Sequence, residues 1–127
     1  MPAAGDTFRA NAASSHLYVV ITAPSGADGC FAIVNLTTKQ DRRGEDYSCV
    51  LHAGEHPFII HDTIVRFVDA AMTDEAAFRA ASSTGGIIHL GAASPELLRK
   101  IQDAALLSRF TPTKIKTAVR SELEQPN

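Results

Sequence analysis

Two apolar runs joined by a short turn constrain this chain more than any other feature. Leu17 to Thr22 reads LYVVIT, and Cys30 to Thr37 reads CFAIVNLT. Both are rich in β-branched and aromatic residues, which suit the pleated surface of a sheet. The first run is nearly continuous in apolar character, so both faces of that strand are expected to be covered. The linker between them, Ala23 to Gly29 (APSGADG), carries one proline and two glycines. Such a linker reverses the chain, so the two strands are expected to pair antiparallel.

Further strand-like segments follow at short spacing. Ser48 to Leu51, Phe58 to Ile60 and Thr63 to Val68 are each expected to form a strand. Short strands separated by turns favour a small barrel or sandwich over an α/β sheet. The pattern changes after Asp69. A helix is expected over Asp74 to Ala81, capped by Thr73 or Asp74, and Ile87 to Leu90 reads as a strand or an apolar connector. Ser94 followed by Pro95 is a strong helix start, and that helix should run to about Ser108. A second terminal helix is expected from Thr111-Pro112 to about Leu123.

The chain has 127 residues, 45% of them apolar, which suits one domain. Residues 1–14 read as a loose leading segment, 15–124 as the domain and 125–127 as a frayed tail. The formal charge of -2 argues against a strongly electrostatic nucleic-acid binder, although a local basic face is compatible with it. No run approaches the roughly 18 apolar residues of a membrane span. The N-terminus has no signal-peptide pattern, so a cytoplasmic location is expected. Cys30 and Cys49 both sit among apolar residues and read as buried free thiols.

The chemistry-bearing residues fall in two groups. The first is the segment Cys49 to Asp69, which holds His52, His56 and His61 around a Gly-Glu-His-Pro turn. Neutral imidazoles with Glu55 or Asp62 have the donor types of a zinc or iron site, but their spacing is no standard ligand framework. No cofactor is expected. The phosphate-loop and HExxH patterns are absent from the sequence. Pro57 holds His56 out of the α region, which suits a structural turn.

The second group lies at one end of the first hairpin. Chain reversal brings His16, at the entrance of the first strand, near Thr37 and Thr38 at the exit of the second. Lys39, Arg42 and Arg43 follow. Histidine moves protons near neutral pH, hydroxyls bind phosphate oxygens, and cations offset phosphate charge. Such a set serves RNA cleavage, in which a ribose 2′-OH attacks the neighbouring phosphate. The basic residues are also interleaved with Asp41, Glu45 and Asp46, as on an ordinary solvated loop.

From His16 to about Met72 the pattern resembles the MazF/PemK-like toxin family. HLYVVIT stands where the family has an RPVVVI-like strand, and CFAIVNLTTKQ where it has a strand ending in an ITS- or ITAQ-like segment. TIVRFVDAAM loosely matches the strand and connector near the family's active face. The resemblance implies a small SH3-like barrel followed by terminal helices, mainly β with α additions. It also implies metal-independent cleavage of single-stranded RNA, a homodimer, and a small antitoxin or other regulatory protein as partner. The family's threonine falls on Thr37. Its arginine falls on His16, which cannot reproduce a permanently charged, multidentate guanidinium.

The leading expectation is therefore a toxin-like endoribonuclease. His16 and Thr37 are its catalytic candidates, and Thr38, Lys39, Arg42, Arg43, Tyr47, His56 and His61 its substrate-binding candidates. The alternatives are a noncatalytic SH3-like protein-interaction module and, third, a histidine-based metal-binding protein.

Overall fold

The computed structural model describes residues 2–10 and 16–125. Residues 1, 11–15, 126 and 127 lie outside that range, and so does most of the expected tail. Among the described residues seven strands form one sheet: β1 (Asp6–Ala10), β2 (Leu17–Val20), β3 (Cys30–Thr38), β4 (Val50–Leu51), β5 (Thr63–Val65), β6 (Ala71–Asp74) and β7 (Ile87–Ala92). Three helices accompany it: α1 (Glu75–Ser83), α2 (Pro95–Leu107) and α3 (Thr113–Glu124).

β2 and β3 pair antiparallel, with Leu17 opposite Leu36 and Val20 opposite Ile33. Their continuous apolar character has a direct cause. Val19, Ala32, Val34 and Leu36 pack toward Ile101 of α2 and toward Ile115 and Val119 of α3. The alternate residues Val20 and Phe31 pack on the other face with Phe8 and Phe78. Phe78 of α1 meets Phe8 and Phe31 edge-on, at centroid distances of 5.2 and 5.5 Å. The sheet is therefore covered by α2 and α3 on one side and by α1 on the other.

The closed SH3-like barrel implied by the family resemblance is not formed. The strand order is β4-β5-β3-β2-β1-β7, with β6 also paired to β3. β3 is long enough for its two halves to hold different partners along one edge: Cys30–Ile33 take β6 and Leu36–Thr38 take β5. Closure would require β4 to meet β7, and the order leaves these at opposite ends of an open antiparallel sheet. The apolar side chains that would fill a barrel instead meet helices.

Three local expectations are also corrected. The leading segment 1–14 contributes β1, which pairs with both β2 and β7. Phe58–Ile60 is not a strand, because the segment spends its backbone groups on itself. The Gly54 N–H donates to the Ile59 carbonyl (2.9 Å) and the Ile59 N–H to the His56 carbonyl (2.9 Å). The strand expected over Thr63 to Val68 stops at Val65 and passes into a single helical turn at Phe67–Asp69, pinned by the Arg66 Nε–Asp69 Oδ2 pair at 2.9 Å. The helix starts follow their local signals: Asp74 Oδ1 accepts from the Ala77 N–H, and Ser94 Oγ from the Leu97 N–H.

Candidate active-site cleft

The strand registers set the site. Arg9 of β1 stands opposite Leu17, and Leu17 opposite Leu36. One step further along, His16 and Thr37 share the same end of the sheet, where Thr37 and Thr38 also pair with Ile64 and Thr63. Against these strand ends lies a cleft of about 250 Å³ lined by Arg9, His16, Thr37, Thr38 and His61. Leu17, Leu36 and Ile59 supply apolar surface, Phe58 and Ile60 lie at the rim, and Thr63 completes the lining. None of these lining residues is acidic. With a guanidinium and two imidazoles present, the cleft suits an anion.

His16, Thr37, Thr38 and His61 are thus brought together as site candidates, and Arg9 joins them. The permanent positive charge missing at His16 is supplied from the neighbouring strand. Arg9 was illegible as a site residue because DTFRA, with one large apolar residue, carries little strand signal. Its position depends on pairing with β2 and with the distant β7.

The three histidines of the 52–62 loop have different surroundings. His52 is exposed, and its Nδ1 lies 3.2 Å from Asp62 Oδ1. His56 is buried at 7% exposure. Its Nδ1 accepts the Phe58 N–H at 3.2 Å, and its ring packs against Phe58 at 5.3 Å. Burial pushes this imidazole below the ordinary histidine range, and a hydrogen bond to the Ala92 backbone opposes that shift. His56 lies outside the cleft lining and holds the turn. His61 is the member that reaches the cleft.

Glu55 fixes the loop to α2. Its carboxylate accepts the His52 backbone N–H at 2.6 Å and the Lys100 ammonium at 3.1 Å. These two contacts hold the carboxyl below the usual range. Among the described residues no three His, Cys, Asp or Glu side chains come together as a metal-binding group. The metal-site alternative for these histidines therefore has no ligand set in the structure.

Lys39 and Tyr47 line neither the cleft nor its neighbouring groove. Lys39 pairs with Asp41, a contact that raises its pKa, and its ammonium sits 5.2 Å from the centre of the Tyr47 ring. The Tyr47 hydroxyl donates to Glu45 at 2.9 Å. Arg42 and Arg43 line a separate groove that shares Thr37 with the cleft. Cys30 is half-buried and Cys49 buried, and both are free thiols.

No protein-family model matches the chain, and no curated protein matches it. With the sheet open, the barrel, toxin–antitoxin and ribonuclease-family labels implied by the resemblance are withdrawn. What remains is the site itself. Among the described residues, no helix is long and apolar enough to cross a membrane.

Proposed function

We propose that the cleft binds a phosphodiester of single-stranded RNA and cleaves it by internal attack of the ribose 2′-OH. One observation carries this reading: Arg9 of β1, His16 just before β2, Thr37 and Thr38 of β3 and His61 of a loop line a single cleft with no carboxylate among its described lining residues. In its neutral form, one imidazole takes the 2′-OH proton as O2′ bonds to phosphorus. In its protonated form, the other gives a proton to O5′ as the P–O5′ bond breaks. The products are a 2′,3′-cyclic phosphate and a 5′-hydroxyl. Arg9 offsets the charge that builds on the nonbridging oxygens, and the Thr37 and Thr38 hydroxyls donate to them. These side chains supply every proton transfer the step requires.

The test is incubation of a mixed-sequence RNA oligonucleotide, with and without chelator, followed by mass spectrometry of the ends. Cyclic phosphate ends are expected from RNA and none from the 2′-deoxy analogue. His16→Ala and His61→Ala should each slow cleavage by about 10²–10⁴-fold, the usual contribution of a positioned acid or base. Intact RNA, or cutting that survives in the double variant, would reject the reading.

A noncatalytic protein-interaction role is the second reading. It is favoured by the exposure of Ile60 (71%) and Phe58 (36%) at the cleft rim, where a regulatory protein or a second copy of the chain would bury them. Under that reading Ile60→Asp abolishes complex formation in sedimentation experiments while RNA stays intact.

A further inference from the structure

Beside the cleft runs a groove of about 310 Å³ that shares Thr37 with it. Arg42, Arg43 and Arg66 line it together with Gln40, Val68 and Phe110. Glu45 and Asp46 also contribute to it, so its charge is mixed, and the hydrogen bonds decide which groups are left for a ligand.

The Glu45 carboxylate accepts the backbone N–H groups of Gln40 (3.0 Å) and Arg42 (3.3 Å) as well as the Tyr47 hydroxyl. Asp46 accepts the Ser108 hydroxyl at 2.6 Å and the Ser48 N–H at 2.9 Å. Both acids are therefore committed to holding the loop. Among the described residues the guanidiniums of Arg42 and Arg43 have no hydrogen-bond or ion-pair partner. Arg66 gives only its Nε to Asp69 and keeps its terminal amino groups. The donors left for a ligand are cationic, and they stand beside the half-buried Phe110 ring, which the Arg109 guanidinium approaches at 4.9 Å, and beside Val68, which is 52% exposed.

We infer that this groove is the subsite for the nucleotide next to the scissile phosphate. Arg42 and Arg43 take its phosphate, and Phe110 with Val68 takes its base. The inference rests on the cleft reading for the position of the scissile phosphate. Continuity through Thr37 selects a connected polyanion over a separate small anion, and a base stacked on an aromatic surface requires an unpaired strand.

The experiment uses a fluorescent 2′-O-methyl pentaribonucleotide, which lacks the attacking hydroxyl and so reports binding alone. Anisotropy titrations of the full chain are run across a salt series. The Arg42→Ala/Arg43→Ala variant should bind at least about tenfold more weakly. Its log–log salt slope should fall by about 0.7, the contribution of the one single-strand phosphate that the two arginines share. Phe110→Leu should weaken binding about tenfold through lost stacking and leave the slope unchanged. A 2′-O-methyl dinucleotide, whose one phosphate occupies the cleft, should bind the arginine variant as it binds wild type.

Unchanged pentamer affinity and slope in the double-arginine variant would overturn the inference. So would a wild-type protein that binds no pentamer, or one that binds a duplex of the same sequence equally well. The two readings fail separately. A protein that binds the pentamer through the arginines yet cuts no RNA keeps the subsite and loses the chemistry. A protein that cuts RNA equally well without the arginines keeps the chemistry and loses the subsite.

Discussion

Removing one hydroxyl, in Ser108→Ala, tests how the arginine loop is held. Ser108 follows the last turn of α2 and is 1% exposed, and Asp46 is 9% exposed. The hydroxyl donates to Asp46 Oδ2 at 2.6 Å and accepts the Phe110 N–H at 3.1 Å. Alanine removes both bonds and puts nothing in their place. A hydrogen bond to a charged group contributes about 1.5–3 kcal/mol, and stranding a buried partner costs about 1–3 kcal/mol. The two losses overlap at one atom, so about 3 kcal/mol is expected in total. With a urea m-value of about 1.5 kcal/mol/M for a chain of this size, the unfolding midpoint should fall by about 2 M. Ser48→Ala is the control from the same segment. Ser48 is exposed and uses only its backbone N–H toward Asp46, so the change should stay within about 0.5 kcal/mol. A cycle with Asp46→Asn should give a coupling above about 1 kcal/mol. The reasoning is refuted if Ser108→Ala unfolds with the control, or if the cycle closes without coupling.

Three further outcomes are expected. Gln102 is buried and donates from Nε2 to the Ile21 carbonyl at 2.9 Å, so Gln102→Leu should cost about 1–3 kcal/mol in thermal melts; wild-type stability would show that bond to be dispensable. Burial pushes the Cys49 thiol up to about 11, so in a Cys30→Ser background it should resist a thiol reagent at pH 8 until urea unfolds the chain, and rapid labelling of the native protein would contradict this. The His56 imidazole is held below its unfolded value by burial, so the unfolded chain binds the extra proton as the medium is acidified. Its contribution is complete above the unfolded value of about 6.5 and is lost as pH falls below it. Melts between pH 7.5 and 5 should therefore show a steeper loss in wild type than in His56→Gln, and parallel curves would remove His56 as the cause.

The legible parts of the fold are those written locally. LYVVIT and CFAIVNLT declare two strands by their β-branched and aromatic residues, and the near-continuous apolar run of LYVVIT declares cover on both faces. Asp74 and the Ser94-Pro95 pair declare helix starts, because a cap lies within three residues of the N–H it satisfies. Strand spacing carries no record of pairing, so it does not separate a closed barrel from this open sheet. Only the register shows β3 dividing one edge between β5 and β6, and α2 and α3 taking the place of a barrel's far wall. Phe58–Ile60 has strand composition, but the Gly54 and His56 backbone groups claim it first. In the site, His16 and Thr37 could be placed together from a single hairpin. Arg66 and Phe110 could not, since each arrives through contacts between segments far apart in sequence, and Arg9 could not because DTFRA carries too little strand signal to show its pairing with β2.

The placement of Thr37 follows from the two-residue period of a strand. Leu36 and Thr38 fall on the face covered by α2 and α3, and Thr37 falls on the opposite face beside Ile64. The cleft that takes Thr38 and the groove that takes Ile64 and Arg66 both include Thr37 in their lining. A polymer spanning both would cross from one face of the sheet to the other at this residue. Its phosphate in the cleft would meet Arg9 and the imidazoles, and its next phosphate would meet Arg42 and Arg43. The 52–62 loop matters to this path only through His61. That side chain can face the cleft because the loop's other polar groups are already engaged: His52 with Asp62, His56 with Phe58, and Glu55 with Lys100. The polar density of the loop is thus mainly the cost of presenting one imidazole on a segment that has no strand or helix to support it.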